Sequence, residues 1–358
     1  MKKKVLFLVP SLNSGGAERV ISILCNKLNK EKFEVVLYPL RKEGIFLNMI
    51  SRDIKIIDLR VNHVRNAFFK IKKVIREENP DIVFSTLSYL NIFIAIFRFL
   101  LPKNIIFIGR ESSIVSEVLS ENNLENKIFK LLYKYFYSNL NYIVCQSQYM
   151  ASDLIDNFKI EKDKIRVINN PLDIEKIKVL SKIEIEKLKE NKIKLITVGR
   201  LNPVKQHCLL IDLFSKLDIN KYHLYIIGEG IEKNKIENKI KKLKLENNIT
   251  LLGKKENPFS YISQCDIFVL TSKYEGFPNA MLEALALDIP ILSLKSPGGV
   301  LEIMLEGENG YFFNEENFEE KIKEILTINR VKIINTIKKY NIYDVIKKYE
   351  ELFLGKNY

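Results

Sequence analysis

Short apolar runs rich in Val and Ile recur along this chain, and longer segments with helical apolar spacing lie between several of them, such as 18–28 and 67–77. Neighbouring parallel strands need a crossover connection, which is usually a helix. The alternation therefore predicts an α/β fold with a parallel sheet. The predicted strands of the first series are 5–9, 35–38, 54–57, 82–84, 105–108, 142–145 and 165–168.

The alternation breaks at the turn sequence Asn169-Asn170-Pro171 and resumes at Lys194. Residues 175–192 between them are dense in Lys, Glu and Ile without glycine, which fits either a helix or a charged connector. The predicted strands of the second series are 195–198, 224–227, 249–251, 267–270, 289–293 and 311–313.

Two successive α/β series predict two doubly wound domains with a cleft between them. We place the N-terminal domain at 1–170, a connector at 171–190 and the C-terminal domain at 191–335. Residues 340–353 are amphipathic, so 336–358 is expected to form a helix that packs back on the N-terminal domain. Ligands of open α/β sheets bind beyond the carboxyl ends of the strands, and functional motifs should therefore follow strands.

The composition excludes several classes of protein. With 47% apolar and 28% charged residues, the 358-residue chain is typical of a soluble globular protein of about two domains. Residues 1–9 are too short an apolar run for a signal peptide, and 89–101 falls short of the ~20 residues that span a bilayer. Four scattered cysteines without a C-x-x-C pair predict reduced thiols, not a metal site or a disulfide framework.

The net charge of +13 limits the kinds of partner that we expect this protein to bind. Residues 1–165 carry 26 basic against 17 acidic side chains, so the first half is the more favourable docking face. Such a surface attracts phosphorylated small molecules, anionic lipid or nucleic acid, although a Lys-rich solvated surface is an equally simple explanation. No nucleic-acid-binding module is recognisable, and we expect no nucleic acid partner.

The segment EGFPNAMLE, residues 275–283, directly follows the predicted strand 267–270. Pro278 suits the first position of a helix that runs on to Leu287, and the start of such a helix favours an anion. Glu275 precedes the helix and Glu283 lies about one and a half turns inside it. One carboxylate can then lie near a transferred group and the other at a diol such as ribose, unless the segment is simply a helix with an acidic first turn.

Two further loops follow strands. In 199–205, GRLNPVK, the cations Arg200 and Lys205 suit a pyrophosphate, although cations in a loop are more often merely solvated. In 14–19, SGGAER, glycines permit close approach of a ligand, and the amides of a starting helix can meet a phosphate.

Together these segments resemble family GT4 of retaining glycosyltransferases, whose GT-B fold has two facing Rossmann-like domains and an interdomain cleft. The resemblance is strong over 194–313 and rests on fold pattern and the glycine loop over 1–170. It implies that Arg200 and Lys205 grip the donor diphosphate, that Glu283 binds the ribose and that Glu275 lies near the sugar, with Glu275, Arg200 and Lys205 as the catalytic residues. The donor contacts that it implies are Gly15, Gly16, Gly199, Arg200, Lys205, Gly228, Gly253, Glu275, Gly276, Phe277, Pro278, Asn279 and Glu283.

One departure from the family concerns a histidine that many relatives carry after the strand near position 108. This chain reads GRESS at 109–113, so Ser112 is expected at that place with Glu111 beside it. We assign Ser14, Glu111 and Ser112 to the acceptor side. His63, His207 and His223 lie elsewhere and are interpreted as incidental.

The resemblance implies transfer of a hexose or N-acetylhexosamine from a nucleotide sugar, with UDP preferred, to a glycan or polyprenyl-diphosphate-linked acceptor in assembly of bacterial surface polysaccharide or glycoprotein glycan. No D-x-D motif occurs, so we expect no metal and no cofactor besides the nucleotide sugar. Segments 89–101 and 127–142 suit a membrane interface, which predicts a cytoplasmic protein on the inner face of the inner membrane, although the first is equally explained as a buried helix.

Two other functions remain open at this point. Nucleotide-sugar 2-epimerases share the architecture but lack the context of Glu275 and Glu283. A non-enzymatic nucleic-acid-binding protein would explain the charge but not acidic residues at strand ends.

Overall fold

The computed structural model describes residues 2–13, 15–188 and 191–356. The chain divides into two compact units. The first holds the residues up to Pro171 together with those from Tyr343 onward, and the second runs from Leu172 to Ile342.

A seven-stranded parallel sheet forms the centre of the first unit. Its strands are β1 (Lys3–Val9), β2 (Phe33–Pro39), β3 (Lys55–Ile56), β4 (Ile82–Thr86), β5 (Ile106–Arg110), β6 (Tyr142–Cys145) and β7 (Ile165–Val167). Their order across the sheet is β3-β2-β1-β4-β5-β6-β7. Every residue of β4 is buried, as expected for a parallel strand with helices on both faces of the sheet.

Helices connect these strands. They are α1 (Gly16–Lys27), α2 (Phe68–Glu78), α3 (Ser88–Phe97), α4 (Val115–Val118), α5 (Leu124–Phe136) and α6 (Gln148–Phe158). Short 3-10 turns occur at Ile45–Met49, Val64–Asn66, Arg98–Leu100, Tyr137–Asn139 and Lys162–Lys164.

The second unit contains a six-stranded parallel sheet. Its strands are β8 (Ile193–Val198), β9 (Tyr222–Ile227), β10 (Ile249–Gly253), β11 (Ile267–Leu270), β12 (Ile291–Leu294) and β13 (Gly310–Phe313), in the order β10-β9-β8-β11-β12-β13. Its helices are α7 (Ile174–Ser181), α8 (His207–Phe214), α9 (Lys233–Lys242), α10 (Phe259–Ile262), α11 (Asn279–Leu285), α12 (Val300–Ile303), α13 (Phe318–Ile325) and α14 (Arg330–Thr336), with 3-10 turns at Pro203–Lys205 and Lys338–Tyr340.

The last helix, α15 (Ile342–Phe353), packs on the first unit. The ring of Phe353 lies 5.6 Å from that of Phe84 and 6.0 Å from that of Phe33, centroid to centroid. The Glu350 carboxylate accepts a hydrogen bond of 2.8 Å from the Asn29 amide. The C-terminal residues therefore complete the core of the unit in which the chain begins.

Both sheets reverse their strand order at one place. In the first unit the reversal lies between β1 and β4, and in the second between β8 and β11. At such a switch point the connections leave in opposite directions, and the crevice beyond the carboxyl ends of the strands is open to a ligand. The loops after β8 and β11 are those that carry the motifs of the second unit.

The predicted strands of both series are present, and the predicted α/β class is confirmed. Within the predicted connector, α7 forms part of the second unit, where the Leu180 carbonyl accepts a hydrogen bond of 2.8 Å from the Asn257 side chain. Residues 189 and 190 of that connector lie outside the described residues.

Candidate functional site

Lys205 and Glu275 lie together beyond the carboxyl ends of β8 and β11. The Lys205 ammonium forms an ion pair with the Glu275 carboxylate, and the Ser272 hydroxyl donates a 2.6 Å hydrogen bond to the same carboxylate oxygen. The Lys205 side chain is 24% exposed and that of Glu275 is 12% exposed. The pair is thus held on one side by protein and keeps a face that a ligand can reach.

Hydrogen bonds between loops fix this pair. The Lys273 amide donates to the Val204 carbonyl at 2.8 Å, and the Thr271 hydroxyl donates to the Lys205 carbonyl at 2.9 Å. The Asn202 side chain caps the 3-10 turn by accepting from the Lys205 amide. The two loops therefore form one connected surface at the switch point of the sheet.

The loop after β12 joins the same surface. The Glu275 amide donates to the Pro297 carbonyl, and the Gly299 amide donates to the Glu275 carbonyl, both at 3.0 Å. A side chain at Gly299 would put its Cβ 2.6 Å from the Phe277 ring, so this close approach requires glycine. The backbone of Glu275 is consequently held on both sides.

Arg200 differs from Lys205 in its surroundings. It is exposed, and its guanidinium makes no hydrogen bond or ion pair with the part of the chain that the structure describes. A planar guanidinium in such a position can donate two hydrogen bonds to one phosphate group without losing a partner within the protein. Of the two predicted phosphate-binding cations, Lys205 is therefore paired with Glu275 and Arg200 is available to a ligand.

The glycines that follow β8, β9 and β10 bring three loops into contact. The Gly199 amide donates to the Ile227 carbonyl, and the Gly228 amide donates to the Gly253 carbonyl, both at 3.0 Å. A Cβ at Gly228 would lie 1.9 Å from the Gly199 oxygen, and one at Gly199 would lie 3.3 Å from a side-chain carbon of Lys205. Packing of the loops alone already requires glycine at 228.

The helix of the EGFPNAMLE segment is shorter than predicted. It spans Asn279–Leu285, and Pro278 is its N-cap with ψ 89°. The prediction that Pro278 is the first helical residue and that the helix reaches Leu287 is therefore wrong. The helix ends early because Asp288 adopts φ 59° and the Ile289 amide turns back to the Ala284 carbonyl.

Phe277 and Glu283 are both buried. The Phe277 ring packs 5.4 Å from the Tyr340 ring, so its side chain holds the loop against the core, and its contact with the donor stays a prediction. Glu283 lies on α11 and is 5% exposed. Its contact with a ribose stays a prediction, with the condition that the diol enter beside α11.

In the first unit, the glycine loop after β1 leads into α1. Gly15 is the N-cap of this helix and Gly16 its first residue, and no side chain of the described residues caps its start. The Arg19 amide donates to the Gly15 carbonyl at 3.1 Å. Ser14, which we assigned to the acceptor side, lies outside the described residues.

Glu111 is fully buried, so a direct contact with the acceptor would need the residues around it to move, and its assignment to the acceptor side stays a prediction. Its carboxylate accepts hydrogen bonds from the hydroxyls of Tyr137, Tyr133 (3.1 Å) and Ser88 (2.8 Å). Burial raises the pKa of this carboxyl, and the hydrogen bonds oppose that rise. Ser112, the next residue, is half-buried in the loop between β5 and α4.

Arg110 is a buried cation that none of the sequence motifs indicates. Its side chain has no exposed surface, and Nη2 donates a 2.6 Å hydrogen bond to the Asn170 side chain. Its Nε and Nη1 atoms have no hydrogen-bond partner among the residues that the structure describes. The signal that could have revealed it is a permanent cation at the end of an otherwise apolar strand, where a charge is costly to bury.

The two segments expected at a membrane differ. Within 89–101, α3 buries Leu90, Ile92 and Ile94, as the alternative of a buried helix predicts, whereas Phe99 in the 3-10 turn that follows is 74% exposed. In 127–142, α5 carries an exposed apolar stripe. No helix of the described chain is long and apolar enough to cross a bilayer. Among the described residues, no cluster of three or more His, Cys, Asp or Glu side chains could hold a metal ion.

Two protein-family models match this chain, and each covers most of one structural unit. The family model described as Glycosyltransferase Family 4 matches residues 14–176, and that described as Glycosyl transferases group 1 matches residues 180–341. An uncharacterized glycosyltransferase of Methanocaldococcus jannaschii is 34% identical over 66% of this chain and 61% of its own length.

A second relative covers more of the chain. The N-acetylgalactosamine-N,N'-diacetylbacillosaminyl-diphospho-undecaprenol 4-alpha-N-acetylgalactosaminyltransferase of Campylobacter jejuni is 30% identical over 92% of this chain and 90% of that protein. Among solved structures, the Anabaena protein HepE in complex with UDP has a TM-score of 0.77 at 19% identity, and the match covers 99% of this chain and 100% of that one. The GT-B fold class predicted from the sequence is confirmed.

Proposed function

Since this chain belongs to glycosyltransferase family 4, we propose that it moves a hexose or N-acetylhexosamine from a UDP-sugar to a lipid-linked acceptor, with retention of anomeric configuration. The observation that carries this proposal is the ion pair of Lys205 and Glu275 with Arg200 nearby in sequence, on the loops at the switch point of the second sheet. Two cations and a carboxylate there suit a nucleoside diphosphate and the sugar attached to it.

In the proposed reaction the bond between the anomeric carbon and the diphosphate oxygen breaks. The bond to the acceptor oxygen forms on the same face, and the acceptor proton passes to the leaving diphosphate. Arg200 and Lys205 neutralise the charge that develops on that leaving group. Fixed charges and donors of this kind are each typically worth ~3 kcal/mol of transition-state stabilisation.

The ion pair gives Glu275 a second task. Before the donor binds, Glu275 holds the Lys205 ammonium in place, and the Ser272 hydroxyl holds Glu275. A diphosphate that reaches Lys205 would share or replace this partner, which leaves the carboxylate beside the sugar. Donor binding and positioning of Glu275 are therefore coupled in the proposed site.

The proposed acceptor is a glycan on a polyprenyl diphosphate, in assembly of a bacterial surface glycan. The name of the Campylobacter relative places its own reaction on a diphospho-undecaprenol substrate. A relative with 24% identity in the same organism is named for a PP-undecaprenol substrate as well. Those names, together with the basic first half of the chain, support a lipid-linked acceptor here.

We propose that α5 holds the protein at the cytoplasmic face of the membrane. Its residues Leu124, Ile128, Leu131 and Tyr135 are 48–74% exposed and lie on one helical stripe, because they follow each other at intervals of four, three and four positions. Exposed lysines on the same helix, Lys127 among them, suit anionic head groups.

Co-sedimentation at low salt tests this contact. Wild-type protein should pellet with vesicles of phosphatidylglycerol and phosphatidylethanolamine, and Leu131→Glu should remain in the supernatant because it puts a charge in the stripe. Val331→Glu is the matched control, since Val331 is 81% exposed on the second unit. If all three proteins pellet equally with the vesicles, the proposed role of α5 is refuted.

Calorimetric titration with UDP tests the donor site. UDP should bind the wild-type chain and stabilise it, and Arg200→Ala and Glu283→Ala should both weaken binding. Lys216→Ala is the control, because Lys216 is exposed just after α8 and outside the site. Absence of binding by UDP, GDP and ADP alike would refute the proposal, and a chelator such as EDTA should leave the binding unchanged if no metal is needed.

A further inference from the structure

The first unit contains a cavity of about 600 Å³ that the donor site does not use. Its walls come from residues that follow β1, β2 and β3, from the start of α3 and from the first turns of α5. It therefore lies at the carboxyl edge of the first sheet, where α/β folds bind ligands. Pro10 and Leu40, directly after β1 and β2, form part of its lining.

Basic residues line one part of this cavity. They are Arg41, His63 and Arg65, all exposed to solvent, against the single carboxylate of Glu125. Arg41 pairs with Glu43 at 3.0 Å, with both side chains nearly half exposed. Arg65 has no hydrogen bond or ion pair with any residue that the structure describes, so its guanidinium is available. Two guanidinium groups in one cavity favour a phosphate-containing ligand.

Apolar and aromatic groups line the rest. Tyr89 at the start of α3 is 44% exposed, and Phe129 of α5 is half-buried. Val61 and Val64 add aliphatic surface beside the arginines. A ligand that fills this cavity therefore needs an anionic part and an apolar part close together.

The helix α5 connects the cavity with the surface proposed to meet the membrane. Glu125 and Phe129 of α5 line the cavity, and they lie one turn apart on the same helix as the exposed stripe of Leu124, Ile128, Leu131 and Tyr135. One helix thus presents one face to the cavity and a neighbouring face to solvent. A lipid whose tail remains in the bilayer could reach such a cavity with its head.

We propose that this cavity binds the acceptor through its isoprenoid diphosphate, with Arg41 and Arg65 on the diphosphate and Tyr89 and Phe129 against the first isoprene units. The inference rests on the proposed function, because it supplies the acceptor site of the proposed transfer. It also moves the acceptor away from Glu111, whose carboxylate is buried.

Titration calorimetry of the full chain with farnesyl diphosphate, below the concentration at which it forms micelles, tests this site. Wild-type protein should bind farnesyl diphosphate more tightly than inorganic pyrophosphate or farnesol, because each of these supplies only half of the contacts. Arg41→Ala and Arg65→Ala should each weaken binding about tenfold, in line with the loss of one charge-assisted contact. Arg76→Ala is the matched control, because Arg76 is an exposed arginine of the same unit outside the cavity.

A parallel titration with UDP separates this inference from the proposed function. Arg41→Ala and Arg65→Ala should bind UDP as the wild type does, and Arg200→Ala should lose UDP but keep farnesyl diphosphate. Farnesyl diphosphate affinity that is unchanged in Arg41→Ala and Arg65→Ala, or equal to that of pyrophosphate, overturns the cavity assignment even when UDP binds. Failure of UDP to bind the wild type instead refutes the donor proposal, while the farnesyl titration still decides the cavity.

Discussion

The Lys205 ammonium is paired with the Glu275 carboxylate, although 70 positions separate them in the chain. Neighbouring positions of β8 and β11 in the sheet create this pair, because the two loops leave adjacent strands at the same edge. The pair places a cation and an anion side by side at the switch point. Its chemistry therefore depends on both loops keeping their places.

We expect Lys205 and Glu275 to act as a coupled unit in UDP binding. Lys205→Ala should weaken binding because it removes a phosphate contact, and Glu275→Ala should change binding because it frees Lys205. The double variant should deviate from the sum of the single effects by about 0.5–3 kcal/mol, as contacting residues do. Calorimetry on the four proteins measures this difference.

The control for that cycle is the ion pair of Lys321 and Glu324, at 2.8 Å in the same unit. Alanine at either position should leave UDP affinity unchanged. Additive effects of Lys205→Ala and Glu275→Ala would contradict the coupling.

Removal of the Glu111 carboxylate should destabilise the first unit. Glu111→Leu leaves the hydroxyls of Tyr133 and Tyr137 without their acceptor, and each buried group left unsatisfied costs about 1–3 kcal/mol. Glu111→Gln keeps an acceptor oxygen and should cost less. Urea unfolding of the three proteins measures the order, and a Leu variant as stable as the Gln variant would show that the network contributes little.

The stabilities of the wild type and of Glu111→Gln should also depend differently on pH. Burial raises the pKa of Glu111, so the folded chain keeps a proton there at pH values where the unfolded chain has lost it. This contribution is complete below the unfolded pKa of about 4.3 and is lost as pH rises through the folded pKa. Glu111→Gln cannot titrate, so its stability relative to wild type should improve as pH rises from about 4; parallel curves would argue against it.

His207 should make the stability of the protein fall as pH falls, which is the opposite of the effect expected from Glu111. Burial, with Lys205 nearby, lowers the pKa of His207 to about 4. Between about 6.5 and 4 the unfolded chain takes up a proton that the folded chain refuses, so stability falls as pH falls, by about 1.4 kcal/mol per pH unit for one proton. His207→Gln should show a shallower slope over this range in thermal or urea unfolding. An unchanged slope would assign the pH dependence to other groups.

Gly228 and Gly253 should differ in their tolerance of alanine. Gly228→Ala would place a Cβ 1.9 Å from a backbone oxygen, and overpacking of this kind typically costs about 1–3 kcal/mol or more. At Gly253 the nearest atom is 3.4 Å away, so alanine there meets only the left-handed φ of 67°, a cost of roughly 1–2 kcal/mol. Urea unfolding compares the two variants, and equal losses would mean that loop contact is not the constraint at 228.

The strands were predictable from the sequence for a physical reason. Parallel strands covered on both faces are mostly apolar, and such short runs are visible without any tertiary information, as in β11 and in residues 82–84 of β4. Element ends were less predictable. The end of α11 depends on the left-handed turn at Asp288, which no local pattern around Leu287 announces.

The sequence by itself determined the two α/β series and the family, because apolar periodicity and motif spacing are local properties of the chain. Only the tertiary structure decided which polar groups are available to a ligand. Arg110 ends a strand and Glu111 follows it, and Arg200 and Glu275 also lie just after strands, yet only Arg110 and Glu111 are fully buried. Whether a side chain is available to a ligand depends on which distant segments of the chain pack against it. Asn170 contacts Arg110, and Tyr137 contacts Glu111. These contacts exist only after the chain has folded.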